Sequence, residues 1–504
     1  MPINARVIAK NTLFLYFRFL LILVVTFYVS RVLLSKLGVE DYGLYNVVFS
    51  VIGIVSFINT TLSSSTSRFI TYELGKNETD TLVLTFSTAF YAHLLLALFI
   101  VLLAETVGLW YINSKLVVPP DRLFAAQVVY QTSVLITVVS IIRVPFMSSI
   151  IAHEKMNAYA YIGIIDALTR FVAAYVISYY GGDKLVFYAI MLLVAQVVVS
   201  LLYVLYSRFS FLESRFSIRH DNKILISILK FSGWSILANM SNTLSIQGVI
   251  LLFNLFFSPV VVAAQAIGNQ ISNAIAQLVQ NIKSAVNPQI IKLYADGSHK
   301  ESEKLTLLSS EYVFYLLMIV GFPVILVMPM LMDIWLEEVP DYTVIFARFL
   351  VFQLIVGNFN DSYYYPLLAA NKISLNSVLE GIFCLFQFLI LYLLFKIGLG
   401  PLWARYIGLV IVCLFSFLEK PLILWKLVGY DLREMYGTML RCVLVMAVAV
   451  LLNISIYLLL PQETIVQNLI ICIFSAFAVI LSCLVFMPKE NRKKLIAIVV
   501  KKRS

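Results

Sequence analysis

The chain has 504 residues, of which 61% are hydrophobic and only 13% charged, with a net charge of +10. Mean hydropathy is +0.93, and apolar runs of about 20 residues, enough helix to cross ~30 Å of hydrocarbon, recur from end to end. These values exclude a water-soluble globular protein, and the pattern lacks the alternating ~10-residue strands of an outer-membrane barrel.

The first predicted span, at 11–34, follows a short polar lead from Met1 to Lys10. It is too long for a signal-peptide core and lacks a small-residue cleavage site, so no cleavable signal is expected. It carries Arg18 and Arg31. An Arg or Lys at mid-span costs roughly 2.5–3.5 kcal/mol on insertion scales, so each needs a reason. At ~100° per residue the two arginines are about 220° apart, and one straight helix cannot aim both at one cavity. Arg18 shares a face with Asn11 and is the cavity candidate. Arg31, near the far end, can equally snorkel to the interface.

The second span, 44–66, ends in NTTLSSSTSR, from Asn59 to Arg68. Spans at 82–111, 122–145, 156–180 and 184–207 follow. In the fifth, Asp166 and Arg170 are four apart, and a self-satisfied ion pair is the first expectation there, ahead of substrate contact. The charged stretch 208–223 is the one clear break. The seventh span, 224–256, holds Asn239, Ser241, Asn242, Ser245 and Gln247.

The eighth, 260–288, has two opposed faces. Gln265, Asn269, Asn273, Gln280 and Lys283 fall in an arc of roughly 160°; Ile267, Ile271, Ala274, Ile275, Leu278 and Ile282 fill the other. A membrane-length helix with an amide stripe implies a polar, water-accessible space within the bilayer. Hydroxyls and amides can also tie helices together, at about 0.6 kcal/mol each. Their concentration in spans 2, 7 and 8 favours the lining of a space for hydrophilic cargo. Amides solvate sugar hydroxyls, and cations suit phosphate. Lys283 is either an interfacial anchor or a cavity cation, and its place on the stripe favours the cavity.

Further spans at 305–332, 343–366, 374–397, 402–427, 436–460 and 465–487 bring the number to about fourteen. Arg348 and Asp361 share the tenth but are 13 apart, so each needs a different partner. The fold class is all-α integral membrane. With the N-terminus in the cytoplasm, only Lys36, Lys115, Arg122, Lys184, Lys396 and Arg405 lie on outer loops or ends. Arg18, Arg31, Arg143, Arg170, Lys283 and Arg348 lie within spans or at their edges. The remaining basic residues fall inside, which fits the positive-inside rule, places both termini in the cytoplasm and leaves no need for a nucleic-acid partner.

The second six spans echo the first at a constant offset of 221: Leu34 to Leu255, Gly38 to Pro259, Gly43 to Ala264 and Pro145 to Pro366. Parallel repeats of this kind predict two six-helix halves, 1–207 and 224–427, around a midplane site. The linker 208–223 joins them, and 428–504 adds an accessory helix pair and a basic tail. The five cysteines, Cys384, Cys413, Cys442, Cys472 and Cys483, form no CxxC pair and read as small buried hydrophobes. No Walker A pattern, catalytic cluster, metal site or cofactor motif occurs, so an enzyme is not expected.

LSKLGVEDYGLYNVVFSV (Leu34–Val51), followed by SRFITYELGK after the second span, resembles polysaccharide flippases of the Wzx (O-antigen) type. These belong to the multidrug/oligosaccharidyl-lipid/polysaccharide exporter superfamily. The element Leu37, Gly38, Tyr42, Gly43 and Tyr45 carries the likeness. The resemblance implies a V-shaped bundle whose central cavity is lined by spans 1, 2, 7 and 8. Its implied cargo is an oligosaccharide on undecaprenyl pyrophosphate, moved from the inner to the outer leaflet of the bacterial inner membrane for O-antigen or capsule. Membrane lipids and polysaccharide polymerase machinery are the implied partners. Arg18 and Lys283, with Arg68, Arg170 and Arg348, are the candidates for pyrophosphate. Asn239, Asn242, Gln265, Asn269, Asn273 and Gln280 are the candidates for sugar. A peptidoglycan-precursor flippase is the alternative. A multidrug or cation antiporter of the same fold is disfavoured, because spans 1 and 7 hold no carboxylate. A glycan polymerase or ligase would carry a large outer loop, and the loops here are short.

Overall fold

The computed structural model describes residues 5–54, 56–76, 78–215, 220–228, 240, 243–459, 464–488 and 492; side chains at 5–18, 56, 57, 60, 64, 76, 281, 282, 284, 285 and 459 are outside the description. Among the described residues every regular element is helical. Eleven helices among these residues are long and apolar enough to cross a membrane. The three remaining expected spans are the polar ones. The second is broken near 54 and rich in Ser and Thr, the seventh lies partly outside the described residues, and the eighth is amide-rich. Their polarity, not their length, sets spans 2 and 8 apart.

Helix α1 (Ala5–Gly53) contains the first span and half of the second. It bends at Gly38, where φ is +81° and ψ 168°, a conformation that favours glycine. Helices α2 (Ser56–Lys76), α3 (Thr79–Ser114), α4 (Pro120–Ala152), α5 (Met156–Tyr179) and α6 (Lys184–Ser210) follow. A π-turn at Ala104–Gly108 interrupts α3, and the Tyr130 hydroxyl donates to the Ala104 carbonyl at 2.6 Å. That bond satisfies a carbonyl in a turn whose helical ladder is disturbed.

Next come α7 (Leu244–Phe256), opened by a π-turn at Leu244–Gly248, and α8 (Pro259–Ala295). Helices α9 (His299–Leu326), α10 (Met328–Trp335), α11 (Thr343–Ala369), α12 (Ile373–Lys396), α13 (Trp403–Val428), α14 (Leu432–Leu459) and α15 (Ile465–Phe486) complete the chain.

Two compact units emerge. The first comprises Met1–Ala266, Trp335–Pro340 and Ser377–Leu399. Its core joins α2, α3 and α4 through Leu62, Ala89, Leu96, Ile100 and Ile141, and α1 packs along α5 while α4 packs along α6. Helices α7 and α12, which the 221-residue offset assigns to the second repeat, pack within this unit. Ser245 donates to Cys384 Sγ at 3.3 Å, and Phe253 and Phe256 meet Phe395. The Trp335–Pro340 loop rests on α1, where the Trp335 indole donates to the Phe27 carbonyl at 2.7 Å and Glu337 accepts from Ser35 at 2.7 Å and pairs with Arg31 at 3.8 Å.

The second unit comprises Ile267–Ile334, Asp341–Asn376 and Gly400–Ser504. Here α9 packs on α11, and the last pair, α14 and α15, packs on α9 and on each other. The pair is not held by apolar contact alone. Arg441 pairs with the buried Glu311 of α9 at 3.4 Å, and the Tyr315 hydroxyl donates to the same carboxylate at 2.8 Å. The other face of α15 exposes Val466, Leu469, Ile473, Phe474 and Phe477, as a lipid-facing helix does. All five cysteines are free and partly or fully buried.

Gly43 of the sequence element allows a close approach of two backbones in the first unit. A Cβ there would run into the Pro259 carbonyl and ring. Gly43→Ala should therefore lower stability by about 1–3 kcal/mol, read as thermal unfolding in detergent. Gly75→Ala, which would meet nothing within 4 Å, should change stability by under ~1 kcal/mol. Equal effects would mean that the helix crossing at Gly43 is not tight.

Candidate functional site

The two-faced segment is one helix, α8, as its periodicity predicts. Ile271, Ile275 and Val279 are buried. Asn273, Gln277 and Gln280 are exposed and Asn269 is half-buried. Asn273, Gln277 and Gln280 therefore are not buried between helices. Gln265 departs from the expected pattern: it is buried, because every residue from Val261 to Gly268 is covered. Leu278 departs in the other direction and is 38% exposed.

Helix α11 covers the buried edge of α8. Ser272 donates to the Leu350 carbonyl at 3.5 Å, and Lys283 Nζ lies 3.5 Å from Asp361 Oδ2. Both pairs are separated by 78 residues, so the two helices run parallel and in register. Eleven residues, about 16 Å of helix, lie between the two contacts. Gly268 makes the approach possible, since a Cβ there would meet Leu350 and Ala347 at 2.9 and 3.3 Å. Lys283 thus sits on the seam between the exposed and buried faces. Its side chain is 7% exposed, whereas that of Asp361 is 61% exposed.

The other cations have varied settings. Arg348 donates from Nε to the Ile325 carbonyl at 2.9 Å and from Nη2 to the Leu326 carbonyl at 3.4 Å. It satisfies the carbonyls that end α9, a role its sequence position did not suggest. Arg170 pairs with Asp166 at 2.9 Å across one turn of α5, and both line a cavity of about 50 Å³ with Tyr45, Phe49 and Gln196. Arg68 is exposed on α2. Arg18 lies on α1 with its side chain outside the described residues, and Asn239 and Asn242 lie outside them altogether. Among the described residues no group of three or more His, Cys, Asp or Glu side chains could hold a metal ion.

Several buried charges escaped the sequence reading. Arg405, expected on an outer loop or span end, lies in the first turn of α13 and is 5% exposed, with its guanidinium 5.5 Å from the Phe346 ring. Lys420, expected at an inner span end, is fully buried, donates to Asn376 Oδ1 and lies 4.0 Å from Glu419. Arg122 clamps two carboxylates. Its Nη2 is 2.5 Å from Asp41 and its Nη1 is 2.8 Å from Asp183. A recess of about 450 Å³ beside the Gly38 bend is lined by Glu40, Asp41, Asp121 and Arg122. Only the position of Asp183, just ahead of the apolar run of α6, was a usable signal, and it caps that helix by accepting from Leu185 and Val186.

No family model and no curated protein matches the sequence. Solved structures match its fold. One is a multidrug resistance MATE family transporter of the MOP superfamily in an inward-facing conformation, with TM-score 0.69 and 15% identity over 80% of this chain and 96% of that one. Another is the lipid II flippase MurJ in an inward closed conformation, with TM-score 0.67 and 12% identity over 95% of this chain and 98% of that one. A third is a MOP superfamily transporter from Pyrococcus furiosus, whose reversed pocket polarity suggests a different function, with TM-score 0.61 and 15% identity over 83% and 96%. At these identities the likeness is one of fold.

The Arg122 clamp has a consequence for pH. Burial alone would raise the Asp183 carboxyl, but the hydrogen bond from Arg122 and two backbone N–H groups outweigh it and hold the group below the usual carboxylate range. The folded state thus favours ionised Asp183. Its contribution is complete above the unfolded value near 4 and is lost as pH falls through the lower folded value. Wild-type protein should lose thermal stability on acidification below about pH 4, while Asp183→Asn should start lower and show a flatter acid limb. Parallel melting curves would show that Asp183 carries none of the dependence.

Proposed function

We propose that the chain is a flippase. It carries a polyprenyl-pyrophosphate-linked oligosaccharide from the inner to the outer leaflet of the bacterial inner membrane, for export of a polysaccharide such as O-antigen or capsule. The observation that carries this reading is α8. Its apolar face is packed, Asn273, Gln277 and Gln280 are exposed, and a lysine lies at the edge between them. Hydrocarbon offers amides no partners, so such a face suits water and a sugar-rich cargo. Asn269, Asn273 and Gln280 receive sugar hydroxyls, while Lys283 and Arg18 attract the pyrophosphate. Arg170 and Arg348 hold partners of their own and play lesser parts.

Transport proceeds by alternating access, and no ATP-hydrolysing motif is needed. Outward movement of two negative charges down an inside-negative potential is favoured by ~4–5 kcal/mol per 100 mV if both cross the whole field. Ion coupling is then dispensable, consistent with the lack of carboxylates in spans 1 and 7.

A peptidoglycan-precursor flippase is the second reading. The likeness to the lipid II flippase extends over 95% of this chain, against 80% for the multidrug transporter, which favours a lipid-linked cargo over a drug.

Purified protein in proteoliposomes should move a pyrophosphate-linked oligosaccharide lipid between leaflets, scored by an impermeant glycan-modifying reagent. Arg18→Ala, Lys283→Ala and Asn273→Ile should each slow movement by about 10-fold, equivalent to ~1.4 kcal/mol, with membrane insertion unchanged. Normal rates in all three would refute the site. In the same vesicles an inside-negative potential should accelerate export. A rate indifferent to collapse or reversal of the potential would rule out the energetic scheme.

A further inference from the structure

The Lys283–Asp361 pair is lopsided. The lysine is buried and the aspartate is 61% exposed. Their 3.5 Å separation exceeds the ~2.7–2.9 Å of a well-formed charge-assisted bond. A buried ammonium is strongly disfavoured unless an anion accompanies it, so Asp361 is what makes a charged Lys283 tolerable on the α8 seam. Among the described residues it is the one hydrogen-bond partner of Lys283.

The two partners also differ in freedom. Lys283 is fixed where α8 meets α11, a register set about 16 Å away by Ser272 and Leu350. Asp361 lies on the same line of α11 with its side chain 61% exposed, so its carboxylate can rotate away without repacking either helix.

We propose that Asp361 is the resident counter-ion of Lys283: it occupies the ammonium between cargoes and yields it to a phosphate oxygen of the anionic headgroup. The idea rests on the reading of α8 as a cargo-binding face. Exchanging one carboxylate for one phosphate oxygen is close to neutral. A headgroup prevails by bringing charge and acceptor oxygens beyond those that replace the carboxylate, so the exchange selects pyrophosphates over monophosphates. The carboxylate's return supplies the release step. Asp361 is in this sense a specificity-determining residue that acts by competition, without touching the cargo.

Binding of farnesyl pyrophosphate and farnesyl monophosphate to the purified full-length protein tests the proposal. Lys283→Gln should weaken pyrophosphate binding about 10-fold, the loss of ~1.4 kcal/mol. Asp361→Asn should tighten pyrophosphate binding several-fold and raise monophosphate binding more. Asp361→Glu keeps the charge and reaches further, so it should hold Lys283 more closely and weaken pyrophosphate binding several-fold. This variant decides the matter if Asp361→Asn does not fold. If Lys283→Gln loses affinity while Asp361→Glu, and a folded Asp361→Asn, bind both probes as wild type does, the competition is refuted and the cargo face stands. If Lys283→Gln binds normally, the cargo-face reading itself fails.

Discussion

A helix that crosses hydrocarbon cannot leave side-chain amides facing lipid, because nothing there accepts or donates. Helix α8 exposes Asn273, Gln277 and Gln280 while burying Ile271, Ile275 and Val279, and that constraint organises the rest. The dry edge is sealed against α11 by an in-register parallel contact that Gly268 permits. On the proposed reading, the open edge meets water and cargo. Lys283 lies where the two meet, and its setting explains both why a cation is tolerated there and why its partner is a surface carboxylate.

Elsewhere the cations are bound into the scaffold. Arg122 ties the Gly38 bend of α1 to the start of α6 through Asp41 and Asp183. Arg348 closes the end of α9, and Arg441 anchors the last helix pair through Glu311. Each removes a charge that composition alone would offer to an anionic cargo. The number of cations in membrane spans therefore overstates those that, on the proposed reading, could serve an anionic cargo.

The helical architecture was legible because membrane-length apolar runs and a 3.6-residue period are local properties. The faces of α8 followed from the same periodicity, except at Gln265, where neighbours cover the whole circumference, and at Leu278, which is exposed. The i,i+4 pair of Asp166 and Arg170 was equally local. What sequence could not give was contact between distant elements. Asp361 was seen to need a partner, yet nothing in the chain links it to Lys283, 78 residues away; the link is the register of two packed helices. The burial of Arg405 and Lys420 was hidden for a similar reason, since hydropathy does not reveal what packs over a span. The packing of α7 and α12 with the first unit was hidden too, because an offset between repeats reports ancestry of segments and not their contacts.

The most direct test of the wet face is its labelling pattern in membranes. In a background without the five native cysteines, single cysteines at 269, 273, 277 and 280, and at 271, 275 and 279, would be exposed to a membrane-impermeant, water-soluble thiol reagent. The account requires fast labelling at the four amide positions and little at the three apolar ones, following one helical face. Uniform protection, or labelling that ignores the helical period, would contradict it, since the amides of α8 would then face no water.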